Sequence, residues 1–116
     1  MQRRFRLTRS TIFKRVRRSG KSYAHPLVVL VAQANGLGKV RVGIAAGRTV
    51  GTAVRRNRAK RLLRAAMQSL LPEVISDWDL LLIARPPLAE SKIPEARAAL
   101  LALLQRAHLL KAPDEG

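Results

Sequence analysis

The sequence predicts an α+β sandwich in which helices pack on a small sheet. Three patterns carry that expectation. Apolar residues recur at helical spacing in residues 9–19, 52–70 and 93–110. Leu27-Val28-Val29-Leu30-Val31 is a continuous apolar run, as expected of a strand buried on both faces. Asp79-Leu80-Leu81-Leu82-Ile83-Ala84 is a second, almost wholly apolar run that reads as a central strand. The order is helix, strands, helix, strand, helix. At 116 residues the chain is one domain, 1–116, long enough to bury one core but not two.

Residues 1–6 form a basic arm, expected to be loose. Thr8 suits the N-cap of the first helix, with Leu7 and Ile12 placed as a hydrophobic staple. Ile12, Phe13 and Val16 make its apolar stripe, and Gly20 fits the C′ position that ends it. Residues 23–33 read as extended and are divided by Pro26, which cannot donate to a ladder. Asn35-Gly36-Leu37-Gly38 reads as a turn and residues 39–46 as the hairpin partner that returns from it. In that strand Val40, Val42 and Ile44 alternate with Lys39, Arg41 and Gly43. Thr52 can cap the second helix, which should stop near Leu70, before Pro72. Trp78 should pack at the foot of the strand over 79–84, and Arg85-Pro86-Pro87 ends that strand. The third helix should run over 93–110, with Pro94 in the tolerated first turn. Its apolar positions are Leu100, Leu101, Leu103, Leu104 and Ala107. Residues 112–116 should fray.

The charge distribution points to the partner. Net charge is +16, and residues 1–72 hold 18 of the 23 Lys and Arg but no Asp or Glu. All seven acids lie from Glu73 onward. A merely solvated surface would mix both signs, because like charges repel and destabilise the compact state. The first two thirds of the chain therefore read as a surface for phosphate.

The second helix concentrates this charge. Projected at about 100° per residue, Ala59, Leu62, Leu63, Ala66 and Leu70 fall on one side and should face the sheet. Asn57, Lys60, Arg61, Arg64 and Gln68 fall on the other, flanked by Arg56 and Arg58. Arg55 points nearer the apolar side but can reach solvent from the first turn. No acid on this helix can pair with these cations at i,i+4. Arginine dominates, and its planar fork binds phosphate in a bidentate way and stacks on bases. Folded RNA is the first candidate partner.

Other functions lack their residues. There is no cysteine, hence no disulfide framework or thiolate zinc site, and His25 and His108 have no ligand spacing. Ser10, Ser19 and Ser22 read as caps and turn formers, and Gly47 and Gly51 match no phosphate loop. The N-terminus is basic but no apolar h-region follows, and the longest apolar run is too short to span a bilayer. A cytoplasmic protein without membrane association is expected; a membrane-surface helix is disfavoured by the spread of the bases and the few aromatic anchors.

With these residues in view, the chain resembles the protein subunit of bacterial ribonuclease P along nearly its whole length. The most specific match is the Arg-Asn-Arg helix, Gly51-Thr52-Ala53-Val54-Arg55-Arg56-Asn57-Arg58-Ala59-Lys60-Arg61-Leu62-Leu63-Arg64. Arg6-Leu7 with Phe13, Arg41-Val42-Gly43-Ile44 and Ile83-Ala84-Arg85 support it. The resemblance implies an α-β-β-β-α-β-α order with a left-handed βαβ crossover. It implies that the RNA subunit is the catalyst, with Mg²⁺ bound mainly by that RNA and the substrate, and that the 5′ leader is released from precursor tRNA. The protein then needs no obligate protein partner.

Carried over residue by residue, Arg56, Asn57, Arg58, Lys60, Arg61 and Arg64 would contact the RNA subunit. Arg9, Phe13, Arg17 and Val31 would serve the cleft that takes the single-stranded leader. Arg17 and Val31 stand where the family often has aromatics, so base stacking is less available here. Phe13 also fits the core, because it shares a stripe with Ile12 and Val16. The alternative from a different class is a ribosomal or other structural RNA-binding protein with no role in cleavage.

Overall fold

The computed structural model describes Arg6 and residues 10–112, and it has the predicted α+β architecture. In chain order the elements are α1 (Ser10–Ser19), β1 (Lys21–Ala24), β2 (Val28–Ala34), β3 (Val40–Ala45), α2 (Ala53–Leu70), β4 (Trp78–Ala84) and α3 (Ile93–Arg106). Short 3-10 turns at Arg48–Val50, Leu71–Glu73 and Pro86–Glu90 join them. The expected Thr8 cap, its Leu7 contact, residues 1–5 of the arm and residues 113–116 of the tail lie outside the described residues. Arg6 bridges in parallel to Val42, on the outer edge of β3.

The sheet has four strands in the order β1-β2-β4-β3. β2 pairs antiparallel with both β1 and β4, while β3 pairs parallel with β4. This corrects the hairpin expectation: the chain does turn at 35–38, but β3 does not return onto β2. β4 lies between them. The physical reason is local and global at once. Asp77, just before β4, accepts a hydrogen bond from Asn35 N at 2.8 Å and donates its own N–H to Lys39 O at 3.2 Å, holding the strand ends apart. β4, apolar on both faces, takes the central slot that buries both. The parallel β3–β4 pair then needs a crossover, and α2 supplies it.

Strand register sorts the side chains onto two faces. Leu30, Ala32, Val40, Val42, Leu80 and Leu82 point to one face, where α2 and α3 cover them in the main core. Val31 and Leu81 point to the other, where α1 lays Val16 against them in a second, smaller cluster. α2 contributes Ala59, Leu63, Ala66, Met67 and Leu70 to the main core. Met67 is thus a core residue missing from the projected stripe, and Leu62, placed there by projection, is only half-buried.

Two helix ends differ from expectation. Gly20 follows α1, yet it is absent from the positive-φ residues, so left-handed backbone is not its role. It is there for space: a Cβ would stand 2.6 Å from Val16 O and 2.7 Å from Val31 Cγ1. α3 stops at Arg106, short of Leu110. His108 takes φ 59°, letting Leu109 N donate to Leu104 O at 3.0 Å and His108 N to Gln105 O at 3.1 Å. That is a Schellman ending with histidine in place of the usual glycine. Leu110 then bridges to Val74, and Lys111 N donates to Glu73 O at 2.7 Å, so the chain after α3 is tied back to the end of α2.

Gly20→Ala should destabilise the fold by about 1–3 kcal/mol, the usual range for overpacking. Urea unfolding checks this: the midpoint should fall with the slope unchanged. An unmoved midpoint would show that α1 can lift off the sheet without penalty.

Candidate nucleic-acid interface

α2 begins where the sequence places it. Thr52 Oγ1 accepts from Arg55 N at 3.3 Å, capping the first turn. With Ala59, Leu63, Ala66, Met67 and Leu70 buried, the opposite side is fixed toward solvent. Asn57, Arg58, Arg61, Arg64 and Gln68 are exposed, and Arg56 and Lys60 are half-buried. All six residues expected to contact RNA therefore lie on one helix, and none is consumed by the core. Among the described residues the ion pairs are Arg15–Asp79, Arg41–Asp79 and Arg55–Glu90. Arg56, Arg58, Lys60, Arg61 and Arg64 take part in none of them. Arg56 Nε is shielded from solvent with no hydrogen-bond partner.

Arg55 departs from the others. Its Nε donates to Val50 O at 3.0 Å, and Nη1 reaches Glu90 Oε1 at 3.3 Å. Its aliphatic stem lies over Gly51, where a Cβ would meet Arg55 Cδ at 2.8 Å and where φ is 129°. Arg55 thus clasps the turn before α2 to the segment after β4. It is a positioning arginine inside a basic string, and the sequence alone gave no sign of a partner 35 residues away.

The second expected surface lies between α1 and the sheet. Phe13 is half-buried against the cluster of Val16, Val31 and Leu81, so it both packs and keeps a surface. Arg17 is exposed, and Arg9 lies outside the described residues. Val31 is a correction. At 2% exposure it is sealed beneath α1 and presents almost nothing to a ligand. The half-buried apolar positions are instead Val29, Ile83 and Ala45, which lie side by side across β2, β4 and β3. Sequence alternation could have marked them only with β4 already placed next to β2.

A polar row closes one end of this face. Asp79 has 0% exposure. Its Oδ1 accepts from Arg41 Nε at 2.8 Å and from Asn35 Nδ2 at 2.9 Å, and its Oδ2 accepts from Arg41 Nη2 at 2.8 Å. Arg15 of α1 adds an ion pair at 3.6 Å. Burial by itself would push the Asp79 carboxyl up. The hydrogen bonds from Arg41 and Asn35, with the charges of Arg41 and Arg15, outweigh it and hold the group below the ordinary carboxylate range. The same hydrogen bond from Arg41 to Asp79 raises Arg41 against its own desolvation.

Comparison with known proteins fits this geometry. The family model described as Ribonuclease P matches residues 1–108. The chain belongs to the ribonuclease P protein family. A ribonuclease P protein component from Roseiflexus sp. (strain RS-1) is 38% identical over 117 residues, covering 100% of this chain and 96% of that protein. One from Lactiplantibacillus plantarum is 38% identical, covering 95% of this chain and 97% of the relative. Among solved structures, the ribonuclease P protein from Thermotoga maritima in complex with 1-(4-fluorophenyl)-2-thiourea has a TM-score of 0.77 at 31% identity, covering 86% of this chain and 97% of that one. The Staphylococcus aureus protein has a TM-score of 0.81 at 25% identity, covering 92% and 98%.

As a member of the ribonuclease P protein family the chain functions in 5′ maturation of tRNA together with the ribonuclease P RNA. The alternative of a structural RNA-binding protein outside tRNA processing gives way to it. Among the described residues no helix is long and apolar enough to cross a membrane.

The Asp79 cluster sets a pH dependence. A carboxylate held below its unfolded value of about 3.9 adds stability above that pH and loses it as pH falls through the lower folded value. Asp79→Asn leaves Arg41 uncompensated and should cost roughly 3–5 kcal/mol near neutral pH. It should also flatten the acid limb of the stability profile. Urea unfolding of both proteins from neutral to strongly acidic pH measures this; parallel profiles would contradict the assignment.

Proposed function

We propose that the cationic face of α2 docks on the ribonuclease P RNA, and that this RNA, not the protein, performs the cleavage of precursor tRNA. The observation that carries the reading is the acid-free helix whose Arg56, Arg58, Lys60, Arg61 and Arg64 make none of the ion pairs found among the described residues. Such a face is self-repulsive in isolation. RNA phosphates relieve that repulsion and release counterions.

In this reading the surface between α1 and the open sheet face receives the single-stranded 5′ leader. Phe13 and the half-buried Val29, Ile83 and Ala45 offer apolar contact, and Arg17 and Arg15 offer charge. The Asp79 cluster orients Arg15 and Arg41 at one end of that surface. Arg9 is assigned to the leader from the resemblance alone.

Among the described residues no group of three or more His, Cys, Asp or Glu comes together as a ligand set. The reading gives the Mg²⁺ to the RNA subunit and the substrate, as the resemblance implies. The protein's part is electrostatic: it screens repulsion between two RNAs and holds the leader extended. A cytoplasmic site of action, with no second protein required, goes with this reading.

Reconstituted cleavage of precursor tRNA at low Mg²⁺ tests it. Arg58→Ala/Arg64→Ala removes two exposed cations without touching the core. Each lost charged hydrogen bond is worth about 1.5–3 kcal/mol, so protein-dependent cleavage should fall at least tenfold and recover at high Mg²⁺. Undiminished stimulation by the variant would sink the α2 assignment.

A further inference from the structure

α2 carries a third stripe, apart from the core and overlapping the cationic row only at Arg58 and Arg61. Val54, Arg58, Arg61, Leu62 and Ala65 follow one another at helical spacing and, with Ile93 at the start of α3, line a groove of about 580 Å³. Val54 is 78% exposed and Ile93 48%; with Leu37 in the 35–38 turn they are the exposed large apolar side chains among the described residues. Leu62, expected in the core, is half-buried because it forms part of this floor.

Exposed apolar side chains gathered along one groove and rimmed by charge, rather than scattered singly, mark a contact surface. Here the partner's chemistry can be read from what surrounds the floor. Two arginines line the groove, no acid does among the described residues, and α2 contains none. A second copy of the chain is a poor fit, because a two-fold contact would bring Arg58 and Arg61 of both copies together in a protein of net charge +16. The groove is also continuous with the cationic row, since Arg58 and Arg61 belong to both. Its volume falls within the roughly 300–1,000 Å³ typical of small-ligand sites.

We propose that this groove takes an unstacked base of the RNA bound by α2: the base lies on Val54, Leu62, Ala65 and Ile93, and Arg58 and Arg61 hold the flanking phosphates. The inference rests on α2 being the RNA-docking face. It adds that docking includes one apolar, shape-dependent contact, which selects an unpaired nucleotide over a regular helix. An aliphatic floor holds a base face by removing its apolar area from water, which does not read sequence.

Two measurements on the full chain with the ribonuclease P RNA test it. The first is affinity as a function of salt for wild type and Val54→Ser/Ile93→Ser. The variant should bind about tenfold more weakly, as expected for losing one base contact, with the slope of log K against log salt unchanged because no phosphate contact is lost. The second uses the absence of cysteine: Val54→Cys carries a single photo-cross-linker, which should react with the base of an unpaired nucleotide. Unchanged affinity, or cross-links confined to helical backbone, overturns the proposal. So does a variant that alters only self-association, which would give the groove to a second copy. If wild type itself binds with no steep salt dependence, the underlying reading of α2 fails and this proposal fails with it.

Discussion

Asp79, at the start of the central strand, receives Arg41 from β3 in two hydrogen bonds of 2.8 Å, Asn35 from the end of β2 at 2.9 Å, and Arg15 from α1 at 3.6 Å. Three separate elements therefore converge on one carboxylate with 0% exposure. A buried ion pair of this kind contributes little net stability compared with an apolar isostere, but breaking it is severe. Its role is to fix arrangement. β3 must lie beside β4, the turn at 35–38 must splay, and α1 must cross the face carrying Val31 and Leu81. Once β3 and β4 are parallel neighbours, α2 has to cross between them, and its outer face is aimed.

The same cluster explains how a chain of this charge folds. The first two thirds contain no acid, so every internal neutralisation must come from later in the chain. Asp79 compensates Arg41 and Arg15, and Glu90 compensates Arg55. These arginines position structure. The other cations of α2, Arg56, Arg58, Lys60, Arg61 and Arg64, make none of the ion pairs among the described residues and are carried by a helix whose opposite side is buried through Ala59, Leu63, Ala66, Met67 and Leu70. Apolar packing thus holds an electrostatically unfavourable face in place, and in the proposed docking the RNA phosphates turn the repulsion into attraction.

Much of this was legible in the sequence, and the failures have physical causes. Helix and strand patterns located all seven main elements, because each depends on local periodicity. Thr52 as cap, Leu70 as helix end and the exposed row of α2 followed from spacing alone. The neighbour of β2 did not, because strand order depends on which apolar strand takes the central slot and on the Asp77 contacts between strand ends. The Arg41–Asp79 pair spans 38 residues and the Arg55–Glu90 pair 35, separations at which periodicity carries no information. Gly20 ends α1 as expected but through close packing rather than left-handed backbone, and the early end of α3 escaped notice because a left-handed histidine closes it. Val31 was assigned to a ligand surface from the resemblance, and only the position of Val16 over it revealed that α1 seals it.

The central claim is that α2 presents to RNA phosphates a fixed row of cations that make no ion pair among the described residues. The most direct measurement is the salt dependence of affinity for the ribonuclease P RNA, compared between wild type and single Arg61→Gln and Arg64→Gln variants. The account predicts a steep wild-type slope that drops by about one for each phosphate-contacting cation removed, with folding unaffected. A shallow wild-type slope, or slopes that do not change when these arginines are neutralised, would contradict it.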